Sequence, residues 1–456
     1  MSNSATMSAR ERIEALVDAN SFVEIGGLIT RRNTDFNGQE KAVPADGVIT
    51  GYGVIDSSLV YVYSQDATAM GGSIGEMHAR KIVSLYEMAV KAGAPVIELI
   101  DCAGIRMQEA VDALAGFGEI YRAKVKAAGV IPQISAILGS CGGGVAIATK
   151  LSDITLIDEG NGRLFVNSPN AIDGNRIEKN DSAAAGFQAE AGNVDLVCSG
   201  ESELLEKIRD LIGLLPANST VGTGEDSGDD LNRMLTGFDS YATDTKKALS
   251  EIADQGTWME LKENYGTEMV VGLMKLSGTT VGAIANTDEG VLSTAGCKKA
   301  EQFVYFCDSF GLPVITLTNV KNYASQMEEE KTIAQAVADM TYAFASADVP
   351  KINVIVGEAF GSGYVAMNSK HIGADLVLAL SGAKVGVMDA TVAAQIMCED
   401  EISAAADTKE ALKEKTEEFE KIQSDGAVKR GYVDNVVEGE SLRKHLIYAL
   451  QMFGMR

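Results

Sequence analysis

Residues 134–150 read ISAILGSCGGGVAIATK, and the reading of this stretch decides the fold. The apolar run at 134–138 has the length of a buried strand, and it predicts a strand that stops at Gly139-Ser140-Cys141. Gly142, Gly143 and Gly144 follow, and then a small-residue segment, 145–149, that can begin a helix. Successive glycines leave the backbone N–H groups of a tight turn uncovered at a helix start. Such a turn can cradle a phosphate or hold a carbonyl oxygen that becomes negative during a reaction. The next residues are Val145 and Ala146, not the Lys-Ser/Thr that ends a nucleotide-binding loop, which disfavours phosphate. Close packing of helix on strand is the competing reason for small residues here.

The same arrangement occurs twice. Residues 352–367, INVIVGEAFGSGYVAM, give a strand, a turn containing Gly361-Ser362-Gly363 and a helix start. Gly143 is matched with Ser362, and Gly144 with Gly363. Upstream, GAPVI at 93–97 matches GLPVI at 311–315, and Arg80-Lys81 matches Lys298-Lys299. The halves run in parallel at an offset of about 218 residues, too long for a solenoid repeat and suited to two copies of one domain. Two oxyanion-type turns in one chain suggest a site that handles two carbonyls.

Working outward, 456 residues suffice for two domains with substantial cores. The 39 basic and 64 acidic residues give a net charge of −25, which argues against nucleic acid or an anionic membrane as a partner. No apolar run reaches the roughly 18 residues of a membrane span, and the start MSNSATMSARER does not resemble a secretory signal, so a cytoplasmic protein is expected. The six cysteines form no CxxC pair, and with only His78, His371 and His445 no metal site is expected.

Residues 8–18 predict an amphipathic helix, with Ser8 and Glu11 spaced as a capping box. A hairpin is expected over 48–55 and 59–64, a helix over 77–91 stopped by Gly93, and a buried strand over 95–100. Another helix, containing Tyr121, comes before the Gly turn, and strands over 154–157 and 164–166 come after it. Alternation of this kind implies a mostly parallel sheet with right-handed crossovers. The polar, acidic segment ANSTVGTGEDSGDD, 217–230, reads as a linker. Beyond it the pattern predicts a helix over 243–254, a hairpin over 269–286 and a helix over 300–310 with Phe303, Phe306, Cys307 and Phe310 inward. A strand over 313–318, a solvated charged helix over 407–421 and a closing helix over 442–453 complete the pattern. Met274-Lys275-Leu276 is similar to a biotin attachment motif but falls inside the expected hairpin, so biotin is expected on a separate protein.

Several passages together resemble the carboxyltransferase subunits of biotin-dependent acyl-CoA carboxylases. They include GVITGYGVID, YVYSQDATAMGGSIGEMHARKI, KAGAPVIELIDCAGIRMQEAVDALAGFGEI, GVIPQISAILGSCGGG, KAEQFVYFCDSFGLPVITL and EAFGSGYVAMNSKHIGAD, and they cover nearly the whole chain in order. The resemblance implies an α/β fold of two tandem crotonase-like domains (ClpP/crotonase superfamily), residues 1–222 on the acyl-CoA side and 223–456 on the biotin side. It also implies a homo-oligomer, dimer to hexamer, with each active site shared between one subunit's first domain and a partner's second.

By the same resemblance, Gly143 and Gly144 would hold the acyl-CoA thioester oxygen as an enolate forms, and Ser362 and Gly363 the ureido oxygen of carboxybiotin. Gly142, Gly361 and Tyr364 would line the binding surface, with Arg80 and Lys81 as candidates for the CoA phosphates. The Arg122-Lys124-Lys126 group is a further candidate for those phosphates. Partners would be a biotin carboxyl carrier protein with a biotin carboxylase, or the subunits of a sodium-pumping membrane decarboxylase. The sequence departs from the family pattern at four places. Cys141-Gly142-Gly143-Gly144 stands for Cys-Ala-Gly-Gly, and Gly361-Ser362-Gly363 for Gly-Gly-Ala. Residues 101–106 read DCAGIR for Asp-Ser-Gly-Gly-Ala-Arg, and 319–323 read NVKNY for Asp-x-Pro-Gly-Phe. The last two departures motivate a scaffold paralogue as an alternative. A serine hydrolase centred on Ser362 lacks the G-x-S-x-G elbow, and His371 lies roughly 13 Å along a continuing helix, leaving His78 as its only possible base.

Overall fold

The computed structural model describes residues 6–32, 45–176, 179–220 and 228–454. It divides into two compact units, Met1–Val221 and Gly222–Arg456, against an expected boundary after residue 222. The centre of the expected linker, 221–227, lies outside the described residues.

The first unit runs α1 (Ala9–Leu16), β1 (Val23–Ile25), β2 (Val48–Ile55), β3 (Ser58–Gln65), α2 (Glu76–Ala92), β4 (Val96–Cys102), α3 (Ala110–Ala127), β5 (Gln133–Gly142) and α4 (Gly144–Thr149). It closes with β6 (Ile154–Asp158), β7 (Arg163–Phe165), α5 (Ala185–Glu190), β8 (Leu196–Cys198) and α6 (Glu201–Leu214). The capping box at Ser8 and Glu11 forms as expected, and Gly93 ends α2 at φ +66°. The strand order is β1-β2-β3-β4-β5-β6-β8, with β7 pairing the far end of β5. The β1/β2/β3 pairs are antiparallel and the rest parallel.

The second unit repeats this plan. Its elements are α7 (Thr245–Ile252), β9 (Met259–Leu261), β10 (Met269–Leu276), β11 (Thr279–Asn286), β12 (Val291–Leu292), α8 (Thr294–Ser309), β13 (Val314–Val320), β14 (Asn322–Tyr323), α9 (Met327–Glu330), α10 (Ile333–Ser346), β15 (Lys351–Phe360) and α11 (Gly361–Ala366). Then come β16 (Leu376–Leu380), β17 (Lys384–Gly386), α12 (Ala390–Met397), α13 (Glu399–Ala404), α14 (Thr408–Lys429), β18 (Asn435–Val437) and α15 (Leu442–Met452). The order β9-β10-β11-β13-β15-β16-β18, with β17 on β15, copies the first sheet strand for strand. Lys275 lies in β10, paired with Thr280 of β11, so it sits in a sheet and not at a hairpin tip.

Three boundaries differ from expectation. β5 does not stop at Gly139: Ser140, Cys141 and Gly142 pair with Arg163, Leu164 and Phe165, and this second partner extends the strand. α8 starts at Thr294, earlier than residue 300, because Ser293 caps it and Glu329 accepts from the Thr294 N–H at 2.7 Å. α14 continues to Lys429, and Phe306 is half-buried where an inward position was expected.

Each sheet packs its helices over an aliphatic core. Ile82, Leu85, Phe117, Ile137 and Val145 belong to the first, and Leu249, Met274, Ile315, Val354 and Leu446 to the second. The first core encloses charge. Lys124, fully buried on α3, pairs with Glu98 of β4 and also donates to Tyr86 Oη (3.2 Å) and Ser152 Oγ (2.7 Å). Removing one partner of such a pair costs about 3–5 kcal/mol, because the other charge stays behind in an apolar site. Lys124→Met should therefore lower stability in urea, followed by circular dichroism, by that order. Adding Glu98→Leu should recover most of the loss.

Candidate active site

The turn after β5 is built by competition for backbone donors. Gly143 lies at φ +61°, which favours glycine, and its N–H donates to the Phe165 carbonyl at 2.9 Å. That donor belongs to the sheet, which corrects the expectation that Gly143 offers its N–H to a ligand. Gly144 and Val145 open α4, and first-turn N–H groups have no intrahelical acceptor. α3 presses on the turn from one side: Tyr121 donates its hydroxyl to the Gly144 carbonyl at 2.8 Å. A methyl on Gly144 would lie 2.9 Å from Tyr121 Oη and 3.0 Å from the Phe117 ring, whereas one on Gly143 would meet nothing within 4 Å. Gly143 is the open corner of the turn. Cys141 beside it is inert, its thiol pushed up to about 12 by burial.

The turn after β15 has the same frame. Glu358, Ala359 and Phe360 pair with Lys384, Val385 and Gly386, and Gly361 lies at φ +62°. The equivalences are therefore Gly143 with Gly361 and Gly144 with Ser362, one residue from the match read off the sequence. Positions 218 residues beyond Phe117 and Tyr121 are Gln335 and Asp339 on α10, which hydrogen-bond each other at 2.7 Å. Ser362 is exposed, with its Oγ 2.8 Å from Tyr323 Oη. Gly363 is buried, and a methyl there would lie 2.8 Å from Val320 and 3.3 Å from Leu292.

One device holds both strand ends. In the first unit Asp101 Oδ1 accepts from the Ser140 N–H at 3.3 Å and sits over Gly139, where a methyl would come within 2.1 Å of it. In the second, Asn319 Oδ1 accepts from the Glu358 N–H at 3.1 Å over Gly357, with a corresponding approach of 2.6 Å. Asp101 has Arg12 as counter-ion at 3.4 Å, while Asn319 donates its own amide to the Thr287 carbonyl at 2.9 Å. The Asn that departs from the family pattern does the work of the Asp. Loop 101–106 is equally well built: Arg106 is buried between Asp46 (2.6 Å) and Glu109 (2.9 Å), and Glu109 caps α2.

Residues 3–454 match the carboxyl transferase domain. The chain belongs to the carboxyltransferase family. It is 37% identical to a putative propionyl-CoA carboxylase beta chain of Bacillus subtilis (strain 168), over 98% of this chain and 90% of the relative. It is 35% identical to the methylmalonyl-CoA decarboxylase subunit alpha of Veillonella parvula, over 99% of this chain and 90% of that one. Among solved structures it superposes on transcarboxylase 12S, a hexamer crystallised with methylmalonyl-coenzyme A and methylmalonic acid, with a TM-score of 0.90. That match has 33% identity and covers 99% of this chain and 90% of the other. The two units are crotonase-like, and the chain is an acyl-CoA carboxyltransferase of the biotin-dependent class.

Not every residue expected at the carboxyltransferase site is positioned to bind a ligand. Lys81 is buried, its ammonium on the carbonyls of Ala45 (2.8 Å) and Val48, and burial lowers it to about 8. Lys299 repeats this on the Tyr265 carbonyl at 2.9 Å and is also lowered to about 8 by burial. Both ammonium groups pin loops, so Lys81 is withdrawn as a phosphate contact, and the buried Lys124 likewise. Arg80 is exposed and bridged to Glu76 at 2.8 Å. Tyr364 is buried, its ring edge-on to His371 at 6.2 Å and its hydroxyl pushed up to about 12 by burial, so it belongs to the core and not to the binding surface. Tyr121 and Asn319 hold the two turns in place, a part that the sequence reading, which named both positions, did not assign to them. The 218-residue offset pairs Asn319 with Asp101 and was the available signal.

His78 is no base for Ser362. Its ring is fully buried, with Nδ1 donating to the Asp46 carbonyl at 3.0 Å and Nε2 accepting from Gln65 at 3.2 Å, and burial lowers it to about 3. The folded chain therefore refuses a proton that the unfolded chain accepts below about pH 6.5, and stability from His78 is lost as pH falls from there toward about 3. In histidine-labelled protein its resonances should keep the neutral position between about pH 5 and 8. Asn319→Asp should cost about 1–3 kcal/mol, since it sets a carboxylate with no arginine against the Thr287 carbonyl. The loss should appear as a lowered thermal midpoint.

Proposed function

We propose that this chain moves a carboxyl group between carboxybiotin, carried on a separate protein, and an acyl-CoA of the propionyl or acetyl class. The observation that carries this reading is the pair of superposable turns, each opening a helix with uncovered N–H groups beside a glycine at positive φ. A thioester oxygen that becomes an enolate and a ureido oxygen that gains charge both need neutral donors held in place, and no side-chain base is required. When bound, carboxybiotin supplies CO2 and a ureido nitrogen that takes the substrate α-proton. The fit on this chain is an exposed Ser362 beside an open turn, with no charged side chain in the turn itself.

The roles divide by unit. The Gly144 N–H, with its carbonyl fixed by Tyr121, holds the thioester oxygen, and the N–H groups of Ser362 and Gly363 hold the ureido oxygen. Each donor of this kind is worth about 10²–10³ in rate. Arg80, with the exposed Arg122 and Lys126, remains a candidate cation for a CoA phosphate. A homo-oligomer that completes each site from two chains, a biotin carrier partner and a cytoplasmic setting fit this division. Among the described residues no helix is long and apolar enough to cross a membrane. The decarboxylase direction is a second reading, favoured by two relatives named methylmalonyl-CoA decarboxylase subunit alpha at 35% identity.

Proline substitution removes a backbone N–H, and an alanine at the same position controls for the added bulk. Gly144→Pro is expected to abolish biotin-supported decarboxylation of malonyl-CoA and to weaken acyl-CoA binding in calorimetric titration, beyond the effect of Gly144→Ala. Gly363→Pro should abolish turnover yet leave acyl-CoA affinity near that of Gly363→Ala. Equal damage to acyl-CoA affinity from both prolines would overturn the division, and unaltered turnover in both would reduce the turns to packing features.

A further inference from the structure

We propose that the Ser362 hydroxyl is an additional side-chain donor to the carbonyl ligand of the second turn, aimed by Tyr323 as a positioning residue. The inference deepens the proposed function and rests on its assignment of the second turn to a ureido oxygen.

The argument is one of hydrogen-bond inventory. A serine and a tyrosine hydroxyl carry one proton each. Ser362 Oγ and Tyr323 Oη stand 2.8 Å apart, and among the described residues neither has another hydrogen-bond partner. Their mutual bond uses one proton and leaves one O–H to donate. Either hydroxyl can donate in that bond, and when the phenol does, the remaining donor is the exposed hydroxyl of the residue whose own N–H opens the turn. An oxygen acceptor at the turn is thus offered the N–H and the O–H of one residue.

Tyr323 is placed by backbone. β14 pairs in parallel with β12, with Tyr323 opposite Leu292, and the Ala324 N–H donates to the Leu292 carbonyl at 2.9 Å. Lys321 N–H donates to the Gly290 carbonyl at 2.7 Å, and the Lys321 ammonium to the Asp288 carbonyl at 2.6 Å. The tyrosine ring lies against Gly363, where a methyl would be 3.6 Å from its Cζ. Leu292, Val320 and Tyr323 therefore shape the floor of the turn, and the phenol oxygen meets Ser362 at its rim. With the phenol donating to Ser362 Oγ, the serine proton is left for an acceptor outside the protein. A hydroxyl in this place favours an oxygen acceptor, which a urea ring presents and a hydrocarbon does not.

Free biotin with malonyl-CoA and methylmalonyl-CoA as probes tests this on the full chain. Ser362→Ala should raise the half-saturating biotin concentration about tenfold with little change in that for acyl-CoA. Tyr323→Phe should raise it about threefold, and Ser362→Thr should restore near wild-type saturation. Because Tyr323 acts through Ser362, the double variant should match Ser362→Ala alone, where a merely structural tyrosine would add its own loss. Unchanged biotin saturation in Ser362→Ala, additive effects in the double variant, or a shift confined to acyl-CoA would each overturn the assignment. Those failures differ from failure of the proposed function. If Gly363→Pro also left turnover intact, the second turn would have no catalytic role. If Gly363→Pro were inactive and Ser362→Ala unaltered, only the hydroxyl donor would fall.

Discussion

A side-chain oxygen seated over a glycine fixes the end of the central strand in each unit, and the rest of the site depends on it. A strand that has left one neighbour and not yet gained the next carries an N–H with no partner in the ladder. Asp101 satisfies that of Ser140 and Asn319 that of Glu358, in both cases through the space that Gly139 and Gly357 leave open. Only then can β5 and β15 run on to pair β7 and β17, commit the Gly143 N–H to Phe165, and deliver the following residues as uncommitted donors. Methyl groups at the two glycines would displace the oxygen and release the turn.

The fold was legible in the sequence because its signals are local and repeated. Apolar runs of strand length, the Ser8 capping box, Gly93 at a helix stop and the 218-residue offset all report on backbone geometry that neighbouring residues dictate. The positions of the two turns were legible for the same reason. Their register was misread, since Gly-Gly-Gly against Gly-Ser-Gly can be matched in two ways, and the strict 218-residue offset, the pairings with β7 and β17 and the positive φ shared by Gly143 and Gly361 agree on one. The strand at β7 was expected over 164–166, but its pairing with the end of β5 was not, because a three-residue strand does not by its own residues name its partner.

Charge was the least legible property. Arg80 and Lys81 are adjacent in sequence and alike in formal charge, yet one is exposed on α2 and the other is buried with its ammonium on two carbonyls. Helical spacing turns neighbouring residues about 100° apart, so adjacent cations meet different surroundings. The duplication would have exposed the pattern: Lys299, at the matching position, is buried on a carbonyl as well. A cation buried on backbone carbonyls in both copies of a duplicated fold is better read as structural than as a ligand contact.

The two copies also show how one backbone frame comes to have different surroundings at its turn. In the first unit aromatic residues of α3 fill the space beside the turn, so Gly144 can carry no side chain, and the tyrosine hydroxyl is spent on its carbonyl. In the second, the matching helix positions are Gln335 and Asp339, which bond each other, and the residue matching Gly144 is the serine. Replacing the aromatic wall removes the neighbours that forbid a side chain in the first unit, and Tyr323, on a different element, supplies the hydroxyl that orients it. Ser362 and Tyr323 are both departures from the family pattern, and they stand within one hydrogen bond of each other. Read alone, the change in the loop that carries Tyr323 suggested decay of the site. Together they form a matched pair, because a serine without the tyrosine would have an undirected hydroxyl, and a tyrosine without the serine would have lost its only hydrogen-bond partner among the described residues.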